Sequence, residues 1–104
     1  MGIVYLFFTV SVQTTIPVGT SAVQLIDSDS NKAYTFIQNK SGGSATVYLG
    51  LSNNLTAGVT GINYASINVG SNYSDDHYNG DLWGIIDGGS SGHFAYTGVL
   101  EITK

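Results

Sequence analysis

The sequence predicts an all-β fold, and three observations predict it. Apolar residues recur at period two, no stretch carries a helical period of useful length, and Gly, Asn or Ser interrupts the chain about every ten residues. Many short strands at that spacing build a sandwich, a jelly roll or a small barrel. At 104 residues the chain makes a single domain, 1–104. A domain of this size buries roughly two-thirds of its unfolded surface and folds without metal or disulfide staples.

The first expected strand covers 3–13. Val4, Leu6, Phe8, Val10 and Val12 give it one continuous apolar face. The other face begins apolar with Ile3, Tyr5 and Phe7, then turns polar at Thr9, Ser11 and Gln13. A strand with one wet side is polar along all of that side. Residues 3–7 are therefore expected to be covered on both faces, by a loop of the same domain or by a partner. Segment 1–13 thus reads as an apolar strand or arm available for packing against a partner. Its opening residues lack the basic region and small-residue cleavage site of a secretory signal. They are also too short to span a bilayer, which takes about 20 apolar residues.

The single proline, Pro17, lies in Ile16-Pro17-Val18-Gly19 and marks a turn into a second strand, 22–26. Strands 33–39 and 45–50 flank a run of Asn, Lys, Ser and Gly, the local signature of a hairpin. Tyr34 and Phe36 share a face on the first, and Ala45, Val47 and Leu49 share one on the second, so each strand has a buried and a wet side. Strands 64–69, 82–86 and 94–102 complete the set. Segments 51–63 and 70–80 are long loops, the places where contacts to other molecules are often made. Gly88-Gly89-Ser90-Ser91-Gly92 reads as a flexible hairpin loop.

Composition narrows the function. Charged residues make up 10% of the chain, against about 25% in ordinary soluble proteins. There is no arginine, the lysines are Lys32, Lys40 and Lys104, and the net charge is -4. A nucleic-acid binder neutralises phosphates with clustered Lys and Arg, so nucleic acid is excluded. Edge strands are usually guarded by charge; with so few charges here, loops or a partner chain must cover them. Cysteine is absent, which removes disulfides, thiol nucleophiles and Cys-based zinc sites.

Candidate chemistry is sparse. Asp27-Ser28-Asp29-Ser30-Asn31 spaces oxygens like the start of a calcium loop, but Lys32 and Gln38 stand where an EF-hand needs Gly and Glu. A hydrated turn is the expectation. Asp75-Asp76-His77 is the densest ionisable cluster, and three adjacent loop residues do not easily converge on one ion; a solvated acidic loop tip is expected. His93 stands far off, and no nucleophile elbow accompanies the serines. Enzyme activity is not expected, and neither is a metal or cofactor.

Seven tyrosines and Trp83 stand out against this background. Aromatics with polar tips suit protein interfaces and sugar stacking. Tyr73 and Tyr78 are expected at an interface, and Trp83 equally at an interface or in the core. Sequons at Asn39, Asn54 and Asn72 are of the kind that arises by chance in an Asn/Ser/Thr-rich chain.

The segments Ile16-Pro17-Val18-Gly19, Phe36-Ile37-Gln38-Asn39, Val47-Tyr48-Leu49-Gly50, Gly61-Ile62, Gly80-Asp81-Leu82-Trp83-Gly84-Ile85 and Val99-Leu100-Glu101 fall in order along the chain. Together they resemble the small β-sandwich virion structural proteins of tailed bacteriophages, over roughly residues 16–102. The departures lie at Thr20-Ser21-Ala22, where that class often carries a basic residue, and in a longer segment at 72–79. The resemblance implies an antiparallel, jelly-roll-like β-sandwich of seven to eight strands. It also implies a capsid decoration (cement) protein or a fibre-type component. As a decoration protein the chain would be a homo-oligomer, most simply a trimer. It would bind the major capsid protein on the virion surface after synthesis in the host cytoplasm. The expected interface residues are Ile3, Tyr5, Phe7, Tyr73, His77, Tyr78 and Trp83, with no membrane partner. The competing expectation is a tail or baseplate sandwich that binds carbohydrate through Tyr73, Tyr78 and Trp83.

Overall fold

In the computed structural model, residues 9–41, 45–58, 61–87 and 95–103 are described. They form eight strands: β1 (Thr9–Val18), β2 (Val23–Ile26), β3 (Lys32–Asn39), β4 (Val47–Gly50), β5 (Ala65–Ile67), β6 (Asn72–Asp75), β7 (Leu82–Ile86) and β8 (Ala95–Thr103). Sheet A has the order β1-β8-β3-β6 and sheet B the order β2-β7-β4-β5, with antiparallel pairing throughout. This is the jelly-roll order: apart from β4 to β5, every connection carries the chain from one sheet to the other.

The core lies between the sheets. Val18, Ile37, Ala95 and Val99 come from sheet A and meet Leu25, Ile26, Val47, Leu49, Ile67, Leu82 and Ile86 from sheet B. Each Val, Leu or Ile among them stabilises the fold by about 1.5–3 kcal/mol on full burial. Alternation places the inner face of β4 as expected, with Val47 and Leu49 fully buried.

Several expectations change. The run from Phe36 to Gly50 is not a hairpin, because β3 belongs to sheet A and β4 to sheet B. Nor do Tyr34 and Phe36 face the core; Thr35, Ile37 and Asn39 do. Pro17 lies inside β1, opposite Tyr96; β1 is an edge strand, where a missing N–H costs no ladder bond. The apolar face drawn through Val10 and Val12 is broken by a register shift between those residues. That bulge turns Val10 outward, 53% exposed, while Val12 packs inward. Residues 3–8 lie outside the described residues. Strand β6 occupies part of the expected 70–80 loop, and the connection through Gly88–Gly92 joins different sheets and so is not a hairpin.

Candidate functional site

The register gathers the ionisable groups at one end of the sandwich. Strands β2, β4, β6 and β8 finish there, and β1, β3, β5 and β7 begin there. Six of the seven acidic residues lie at this end: Asp27, Asp29, Asp75, Asp76, Asp81 and Glu101. Asp29 Oδ1 accepts the Asn31 N–H at 2.9 Å and Asp81 Oδ1 accepts the Ser28 N–H at 2.7 Å. Segment 27–31 is thus the turn expected of it. Lys32 Nζ donates to the carbonyls of Asp27 (2.7 Å) and Gly80 (3.0 Å). Burial pushes its pKa down, against the opposing pull of Glu101 and the neighbouring aspartates.

Glu101 is 4% exposed on the inner face of β8, opposite Thr35. Burial pushes its carboxyl above the usual value, and Lys32 pulls the other way. At both groups burial outweighs their mutual attraction. Among the described residues, Thr35 Oγ1 beside them is buried without a hydrogen-bond partner.

Asp75 closes β6. Its Oδ1 accepts the N–H groups of His77 (2.8 Å) and Tyr78 (3.2 Å), and its Oδ2 accepts the Tyr73 hydroxyl at 3.1 Å. Burial alone would raise its pKa; these donors outweigh burial and hold it below the usual value. Tyr73 is raised, by burial first and then by its bonds to Tyr64 and Asp75. Contrary to expectation, Asp75, Asp76 and His77 do converge, with one ligand atom of each within 4.8 Å of the others. The Asp75 oxygens are already engaged, while Asp76 and His77 are exposed and pair with each other.

The expected interface aromatics do not form one surface. Tyr73 and Tyr78 are half-buried and pack against the core, and Tyr64 meets Tyr73 edge-on at 6.1 Å. Trp83 stands on the outer face of sheet B, between Gln24 and Gly50. His77 is exposed at the acidic end. Ile3, Tyr5 and Phe7 lie outside the described residues, as does His93.

The surface that sequence reasoning missed is the outer face of sheet A. Val10, Ile102 and Tyr34 form one row across β1, β8 and β3, and Gln13, Leu100 and Phe36 form the next. Beyond them Gly98 lacks a side chain and floors a groove of about 340 Å³, with Lys40 as its only charged lining residue. The signal was present in the sequence: β8 alternates Tyr96, Leu100 and Ile102 on one side with Ala95, Thr97, Val99 and Glu101 on the other, so its bulkier apolar residues lie on the outward side.

Among the described residues no helix is long and apolar enough to cross a membrane. No family model, curated protein or solved structure matches the chain.

Proposed function

We propose that the chain is a non-enzymatic virion structural protein of a tailed bacteriophage. In this reading it is a decoration protein that binds the outside of the shell and stabilises joints between major capsid proteins. The observation that carries the reading is the outer face of sheet A, where outward positions hold the exposed Val10 and the half-buried Tyr34, Phe36, Leu100 and Ile102. A sheet face that met only water would be polar there. Cementing requires buried area and no chemistry; specific interfaces bury on the order of 1,200 Å² or more, and identical copies add avidity. A cyclic homotrimer suits the threefold positions of an icosahedral shell. The test is to incubate the purified protein with shells that lack it. Saturable binding and a raised heat resistance of the shells are expected; if neither appears, the reading is wrong.

A second reading is a glycan-binding module. It draws on the outer face of sheet B, where Trp83 and Tyr48 lie on adjacent strands in diagonal register, flanked by Gln24 and Ser66. Such a row suits stacking on a sugar ring. Binding on a glycan array that is lost in Trp83→Ala would favour this reading over the first.

A further inference from the structure

The outer face of sheet A carries an apolar patch, and its position limits what can cover it. β1 begins at Thr9, opposite Thr103, and the next residue, Val10, lies in the row of Ile102 and Tyr34. The eight residues that precede β1 therefore join the fold at the rim of the apolar patch. Their sequence is Met-Gly-Ile-Val-Tyr-Leu-Phe-Phe, apolar throughout. Eight extended residues reach about 26 Å, enough to cross the rows of the patch.

Reach alone would allow this arm to fold back on its own sheet, but its composition argues against that. A chain that reverses direction just before β1 needs Gly, Pro, Asn or Asp at the reversal. Residues 3–8 hold none of them, and all are good strand formers. The arm can run onward more readily than it can turn back, which points to the patch of a neighbouring copy.

Area leads to the same occupant. Strands β1, β8, β3 and β6 hold ten, nine, eight and four residues; at about 3.3 Å per residue and about 4.8 Å between strands they make a face of roughly 500 Å². A standard interface takes about 800 Å² from each partner. An eight-residue apolar arm adds buried surface that the sheet face alone does not supply. Charge permits the approach, because Lys40 is the only charged residue lining the groove although each copy carries -4.

We infer that residues 1–8 of one copy dock on the outer face of sheet A of a second copy, over Phe36 and Leu100. Each copy then gives one arm and receives one. Such exchange is reciprocal between two copies or runs head to tail, and a head-to-tail exchange gives a ring where its rotation closes. The inference refines the oligomer of the proposed function and rests on that part of it alone. Its test needs no shell, so shell binding and arm exchange can fail independently.

The absence of cysteine makes the test direct. An Ile3→Cys variant is mixed with a Leu100→Cys variant and oxidised. A covalent species of twice the chain mass, carrying one copy of each variant, is expected. A double variant bearing both cysteines is expected to form covalent multimers; a disulfide closed within one chain would overturn the inference. A second experiment pairs a chain lacking residues 2–8 with a Phe36→Lys, Leu100→Lys chain, after thermal unfolding has confirmed that both fold. Each alone is expected to sediment as a monomer, while the mixture forms a one-to-one complex. Failure of the mixture to associate, together with no crosslink between copies, overturns the inference.

Discussion

Asn39 Nδ2 donates to the carbonyl of Ile67 at 2.9 Å, tying the last residue of β3 in sheet A to the last residue of β5 in sheet B. The same amide donates to the Ala45 carbonyl at 2.8 Å, and its oxygen accepts the Ser41 hydroxyl and N–H. Ser41 Oγ in turn accepts the Tyr96 N–H at 3.2 Å. The Asn and Ser of the Ile37-Gln38-Asn39-Lys40-Ser41 segment thus build one buried corner where the chain leaves one sheet for the other. Asn39→Ala strands the Ile67 and Ala45 carbonyls, and each buried orphan costs about 1–3 kcal/mol. A loss of about 2–5 kcal/mol is expected in urea unfolding. Modification of Asn39 is not expected in the folded protein, because its side chain is fully buried.

Glu101 makes stability fall as pH rises. Its folded pKa lies above the ordinary value of 4.5, so between those two values the folded state holds a proton that the unfolded chain has released. The stability from the protonated form is complete below about pH 4.5 and is lost as pH climbs through the raised value. Glu101→Gln is expected to lose less stability than the native protein between pH 4.5 and pH 7. Parallel pH dependence of the two proteins in thermal unfolding would contradict the assignment.

Asp75 works in the opposite sense. Its folded pKa lies below the ordinary 3.8, so its contribution is present above that value and disappears as pH falls through the folded pKa. Asp75→Asn removes a charged acceptor from the His77 and Tyr78 N–H groups and the Tyr73 hydroxyl. A loss of about 1–3 kcal/mol is expected at pH 7, shrinking toward acid pH, as read by urea midpoints at each pH.

Gly61 admits no side chain. A Cβ there would stand 2.3 Å from the Thr56 carbonyl oxygen and 2.6 Å from that of Ala57, and backbone cannot yield as a side chain does. The same turn carries the Thr56 N–H to Ile62 O bond and the Ile62 N–H to Thr56 Oγ1 bond. Gly61→Ala is expected to cost about 1–3 kcal/mol, with proteolytic cleavage between β4 and β5 rising in step.

How much of this was legible depends on what alternation can say. Period two reports that two residues share a face, not which face is inside. At β4 the two questions have one answer, since Val47 and Leu49 are the apolar side chains and they are buried. At β3 they separate. Phe36 outranks Thr35 and Asn39 in hydropathy, yet Asn39 is buried because its amide makes four hydrogen bonds, and Phe36 is left outside. The bulge between Val10 and Val12 defeats alternation in a second way, by moving the strand to its other face in mid-course. Strand β6 was illegible because Asn-Tyr-Ser-Asp contains weak strand formers; only its pairing with Thr35–Gln38 makes it a strand. The acidic end was equally hidden, because residues 27–29, 75–81 and 101 meet only through the sheet order.

That sheet order also bears on how the chain is made. β8 lies between β1 and β3 and contributes two of the three seams of sheet A. Until the nine-residue β8 has left the ribosome, β1 has no neighbour in its sheet among the described strands and β3 has only β6. No partial product can therefore close the sandwich, and its pairings are non-local, which makes for slow folding. Aggregation, if it competes with folding, will act on nascent or freshly released chains whose apolar strands still lack their central partner.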